Sequence, residues 1–278
     1  RSLAIGDIET HGIHSFTNYT QKKMNPKYTL QDWPAYRNDI VDFLDLDNRR
    51  NHAQAMFEVD ITKLNEQIAQ RKERLHTVTF QLAHLLFCYG RSIAQHPEMQ
   101  ARLYKKKLYL FEDVDVSMIF EKTTPTGIKV PVPYIFRGIQ NKSYDEILKE
   151  LQWANEAEMH EIYQAKKSTW LRSLPKFMRM FLMRRALADP LKWKANLGTV
   201  AFTTLGMTIR NRQMYPVPIG PYSCMLAAGS SYHQKVEGKT VSKWCIVLNF
   251  DHNIMDGAPA VRFGRTFMAM VERGLETE

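Results

Sequence analysis

The sequence predicts an α/β fold in a single domain, on three observations. Period-two segments, such as Val114, Val116, Met118 and Phe120 on one face, interleave with stretches whose apolar residues recur every three and four positions. The 278 residues are 44% apolar, enough for a sizeable core. No internal repeat or low-complexity linker divides the chain.

Residues 1–40 are polar and poorly periodic, with Pro26 and Pro34 interrupting them, which predicts an extended arm ahead of a domain over 41–278. Ala55 to Asp60 reads as a strand. Ile61 to Arg74 reads as an amphipathic helix carrying Ile61, Leu64 and Ile68. Val78 to Gln95 is a more apolar helix that stops at His96-Pro97, where proline forbids continuation. Lys107 to Leu110 and Val114 to Phe120 follow as strands. The prolines of the extended stretch Gly127 to Pro133 place it at a sheet edge. Ser143 with Glu146 is a capping-box start for a helix to about Ala165. Gly198 to Gly206, Tyr222 to Ala228 and Val241 to Phe250 complete the strands, and Ala258 to Arg273 is the last helix.

Between the helix begun at Ser143 and the strand from Gly198 lies a basic insert, Lys166 to Lys194, with nine Lys or Arg against one acid, Asp189. A basic amphipathic helix can lie on an anionic membrane. The expectation here is the plainer one, an insert packed on the domain or on a neighbouring subunit with its charges solvated. The net charge of +9 suits an anionic partner, yet no nucleic-acid motif or basic-aromatic platform accompanies it. No apolar run is long enough to cross a bilayer, and the N-terminus lacks a signal-peptide pattern. Cys88, Cys224 and Cys245 are far apart and odd in number, which predicts a reducing, cytoplasmic setting without disulfides.

The most informative stretch is Asn249 to Phe263. An apolar strand runs into Asp251-His252, and Asp256-Gly257 follows four residues after the histidine, just before a helix. A histidine beside an aspartate is ordinarily a hydrogen-bonded structural pair. Here it sits inside Phe-Asp-His-Asn-Ile-Met-Asp-Gly-Ala-Pro-Ala-Val-Arg-Phe, which resembles the signature of dihydrolipoamide acyltransferase catalytic domains and of chloramphenicol acetyltransferase. Three further segments agree in order: Arg49-Arg50-Asn51-His52, Ile93 to Glu98 with Asp113 to Val116, and Val200 to Gly206. The similarity covers about Arg49 to Glu272 and is strongest to stand-alone homologues of the acyltransferase subunit of 2-oxo acid dehydrogenases. No lipoyl attachment site or subunit-binding domain is read in this sequence.

The resemblance implies a two-layer α/β sandwich, a mixed β-sheet with helices on one face, and transfer of an acyl group from acyl-coenzyme A or acyl-dihydrolipoamide. It implies His252 as general base; an imidazole titrating near about 6.5 suits that task at neutral pH. It implies Thr203 as hydroxyl donor to the oxyanion, in place of the family's serine, with Thr204 the alternative one position on. Asp256 is implied to be structural, ion-paired to Arg49 so as to lock the histidine loop. Asn253 replaces an arginine usual in the dihydrolipoamide branch. The family's site lies between subunits, so a homotrimer follows, and the polar C-terminus favours a free trimer over a larger core. No metal site is read, since His-Glu-x-x-His is absent. The coenzyme A-binding residues and the acceptor, a thiol, hydroxyl or amine on a small molecule or carrier, stay open. The rival reading is a non-catalytic assembly paralogue of a dehydrogenase complex.

Overall fold

A computed structural model describes residues 33–34, 36–47, 50–70, 77–162, 173–205, 209 and 211–275. The elements described all lie in the compact unit Ala35–Glu278. In chain order they are α1 (Tyr36–Leu44), β1 (His52–Asp60), α2 (Thr62–Gln70), α3 (Thr77–Gln95), β2 (Arg102–Tyr104), β3 (Lys107–Tyr109), β4 (Val116–Thr123) and β5 (Lys129–Phe136). Then follow α4 (Tyr144–Glu156), α5 (Met159–Ile162), α6 (Lys176–Leu187), α7 (Pro190–Leu197), β6 (Val200–Thr204), β7 (Cys224–Val236), β8 (Lys239–Asp251) and α8 (Gly257–Arg273). Helix α1 begins inside the span read as arm. The rest of the arm lies outside the described residues, apart from Trp33 and Pro34.

Six strands form one mixed sheet in the order β1-β8-β7-β6-β4-β5, with β6 parallel to both β4 and β7 and the remaining pairs antiparallel. The period of two sorts its side chains. Met118, Phe120, Val200, Phe202, Leu226, Ile246, Leu248 and Phe250 point into one core with Leu85, Tyr89 and Ile93 of α3 and Phe263, Phe267 and Val271 of α8. This is the predicted two-layer arrangement. Part of the opposite face is also covered: Trp193 of α7, Tyr222 and Met225 are buried against Phe43, Leu187, Leu197 and Ala201.

Local chemistry explains most boundaries. Ser143 caps α4, its hydroxyl accepting from the Glu146 amide while the Glu146 carboxylate accepts from the Ser143 amide. Strand β5, carrying Pro131 and Pro133, is an edge, as a residue without an amide hydrogen requires. Strands β7 and β8 are 13 residues each and longer than the sequence patterns suggest. They meet at Glu237-Gly238, both at positive φ (49° and 80°), as a two-residue hairpin turn demands. The polar outer halves of these strands hide them from a hydrophobicity pattern.

Gly229 of β7 is where the chain approaches itself most closely. A Cβ there would stand 1.8 Å from the Met214 carbonyl oxygen. The segment after Asn211 therefore lies against the sheet, tied by Asn211 N to Ser231 O (3.1 Å) and by Asn249 Nδ2 to Pro218 O (2.7 Å). Glu58 of β1 fastens it from the side, accepting from Tyr215 (2.7 Å), Tyr232 (2.6 Å) and Gln213 (2.8 Å).

Candidate active site

His252 is the first residue beyond β8, and the antiparallel pairing of β1 with β8 sets it where it is. That pairing places His52 opposite Asp251, so the residues leading into β1 lie beside those leaving β8. Two segments about 200 positions apart thereby form one clamp. The His252 amide donates to the Asn51 carbonyl (2.7 Å), and Asn51 Nδ2 donates to Asn253 Oδ1 (2.8 Å). Arg50 Nη1 donates to Asp251 Oδ2 at 2.8 Å, with the Asp251 side chain only 4% exposed. The other Asp251 oxygen accepts from the Asn253 amide (3.0 Å) and Nδ2 (2.8 Å), and the Asp251 carbonyl accepts from Ile254 N and Met255 N. The loop backbone is thus held at nearly every residue.

The imidazole itself is presented outward. Its ring stacks on Phe250 at 6.1 Å and 28°, while 51% of the side chain faces solvent. Asp256 Oδ1 is 4.0 Å from His252 Nδ1, but the Asp256 side chain is 89% exposed. It stands at the N-cap of α8 without accepting a backbone hydrogen bond. Arg49 lies outside the described residues. Among the described residues, the buried arginine–aspartate pair that grips the histidine loop is Arg50 with Asp251, while the expected pairing of Arg49 with Asp256 falls outside them. The pairing of β1 with β8 is what brings the segment carrying Arg50 to Asp251.

Below that pair lies a second guanidinium. Arg102 stacks over Trp193 at 3.5 Å and donates to the Leu187 carbonyl at 3.3 Å. Burial, then the Arg50 charge, bring its pKa down to about 9, with Asp251 partly opposing both.

Thr203 is placed differently. Val200 and Phe202 of β6 face the helical core, so alternation turns Thr203 to the opposite face. Thr204, on the core side, carries a buried hydroxyl with no hydrogen-bond partner. Thr203 pairs with Ala227, and Ala227 with Val247, five residues short of His252. At roughly 3.3 Å per residue and 4.8 Å per strand, that is about 16 Å along the strands and 10 Å across them. Thr203 and His252 of one chain therefore cannot touch a common atom.

No family model and no curated protein matches this sequence. Solved structures do. A probable dihydrolipoamide acetyltransferase from Listeria monocytogenes superposes with a TM-score of 0.59 at 15% identity, over 90% of this chain and 97% of that one. The chain has the fold of a dihydrolipoamide acetyltransferase core. The cubic core of a pyruvate dehydrogenase multienzyme complex agrees at a TM-score of 0.57 and 17% identity, over 88% of this chain and 92% of the other. So does the dihydrolipoamide acetyltransferase of Azotobacter vinelandii (0.59, 16%, 88% and 92%), studied for the roles of a serine, a histidine and an asparagine in its mechanism. Within this acetyltransferase-core fold, the His252 loop closes β8 at one end of the sheet and Thr203 lies level with Met56, the middle of β1.

Proposed function

We propose that the protein is an acyltransferase that moves an acyl group from acyl-coenzyme A, or from acyl-dihydrolipoamide, to a thiol, hydroxyl or amine. The observation that carries this reading is His252, a solvent-facing imidazole on a loop whose backbone is fixed by Asn51, Arg50 and Asn253. Its distance to Asp256 in sequence, four residues, equals that between the histidine and the asparagine studied in the Azotobacter enzyme.

In the proposed reaction His252 takes the proton of the acceptor, whose freed lone pair attacks the thioester carbonyl. The resulting oxyanion is stabilised by the Thr203 hydroxyl. Collapse breaks the carbon–sulfur bond, and the departing thiolate recovers the proton from the imidazolium. Since Thr203 and His252 of one chain are far apart, the pair is completed by a neighbouring copy. A homotrimer with His252 of one subunit facing Thr203 of the next meets that requirement. Arg50 and Asp251 hold the histidine loop without touching substrate.

The test is release of free thiol from acyl-coenzyme A of several chain lengths, with dihydrolipoamide and small alcohols and amines as acceptors. Wild-type turnover is expected, with His252→Ala slower by about 10²- to 10⁴-fold. Wild-type protein that neither binds nor consumes the thioester would overturn the reading in favour of a non-catalytic assembly role.

A further inference from the structure

Helix α6 does not bury its apolar residues. Met180 is buried, but Phe177 is 73% exposed, Phe181 66% and Met178 39%, and Leu191 of the following α7 is 67% exposed. Phe177 and Phe181 are one helical turn apart and share a face with Arg184 and Arg185 one turn further on. The expected packing of this insert is thus made by one side only, and the other is an aromatic and basic stripe.

Its charges divide in the same way. Lys176 pairs with Asp45 (2.6 Å), Arg179 with Asp42 (2.7 Å) and Lys194 with Asp115 (2.9 Å), which fastens the helices to the domain. Arg184, Arg185 and Lys192 have no carboxylate in ion-pair range among the described residues, although Arg184 also donates to the Asp45 carbonyl (3.2 Å). The nearest acid in sequence, Asp189, is occupied as the N-cap of α7, accepting from Leu191 N and Lys192 N.

We propose that this surface, α6 with the start of α7, docks the protein on an anionic lipid bilayer. Exposed Phe177, Phe181 and Leu191 beside Arg184, Arg185 and Lys192 match an interface that is apolar inside and negatively charged outside. A second copy meeting this face with its own would bring the same basic residues against one another in a chain of net charge +9, and a head-to-tail contact is told apart by the oligomer mass. The inference is independent of the acyl-transfer reading.

The experiment is co-sedimentation of the full chain with phosphatidylcholine vesicles with and without phosphatidylglycerol. Retention on the anionic vesicles alone is expected, weakening as salt is raised. Arg184→Gln with Arg185→Gln should weaken it about 30-fold, and Phe177→Ser with Phe181→Ser roughly 10-fold or more. Circular dichroism and thiol release with a soluble acceptor report that the variants stay folded. No retention on anionic vesicles, or retention untouched by either pair of substitutions, overturns the proposal. Charge-dependent capture by soluble polyglutamate that ignores the phenylalanines overturns it in favour of an acidic protein. A fall in oligomer mass on losing the phenylalanines overturns it in favour of a second copy.

Discussion

Replacing Arg50 by alanine leaves the Asp251 carboxylate buried without its strongest partner. The contact is 2.8 Å long, and the two side chains are 15% and 4% exposed, so solvent cannot replace the guanidinium. Removing one member of such a pair typically costs about 3 to 5 kcal/mol. The lower end applies here, because Asp251 keeps two hydrogen bonds from Asn253 and the charge of Arg102 nearby. We therefore expect Arg50→Ala to lose about 3 kcal/mol in urea unfolding. Asp251→Ala should lose a similar amount, and the double variant less than the sum by about 1 to 3 kcal/mol. Thiol release should fall in both single variants, since the loop presenting His252 loosens. A loss below about 0.5 kcal/mol, the range of ordinary surface substitutions, would refute the assignment of Arg50 as the clamp. Additive single losses would refute the coupling.

The remaining predictions concern the donor, the packing and acid. Thr203→Ala should lower turnover by roughly 10²-fold or more while Thr203→Ser retains it; equal rates would sink Thr203 as donor, and a loss confined to Thr204→Ala would move the role one residue on. Mixed oligomers of His252→Ala and Thr203→Ala chains should regain activity that neither has alone, whereas no recovery would exclude a site shared between copies. Gly229→Ala forces a Cβ to 1.8 Å from the Met214 carbonyl and should cost at least about 1 to 3 kcal/mol, a Tm drop of several degrees by differential scanning fluorimetry. Burial tends to raise the pKa of Glu58, but hydrogen bonds from Tyr232, Tyr215, Lys243 and Gln213 prevail and hold it at about 2 against an ordinary 4.5. Its stabilisation is thus complete above pH 4.5 and is lost as pH falls towards 2, so Glu58→Gln should flatten the stability profile in that window.

Much of this architecture is legible in the sequence because local chemistry decides it. The helix from Thr77 to Gln95 is an apolar run stopped by proline, the Ser143–Glu146 capping box sits where the pattern puts it, and the prolines of β5 mark an edge. The stretch around His252 is conspicuous for the same reason: strand, polar cluster, glycine and helix are contiguous. Strand pairing is a different matter, since it joins residues far apart whose preferences carry no address. That Arg50 reaches Asp251, and that the Asn51 carbonyl receives the His252 amide, follow from the β1–β8 register alone. The sequence determined which residue types the proposed acyl transfer would draw on. The tertiary structure decided which of them share a space, separating Thr203 from His252 along the sheet and leaving Phe177 and Phe181 in solvent, because register and packing are set by the whole sheet and not by any one segment.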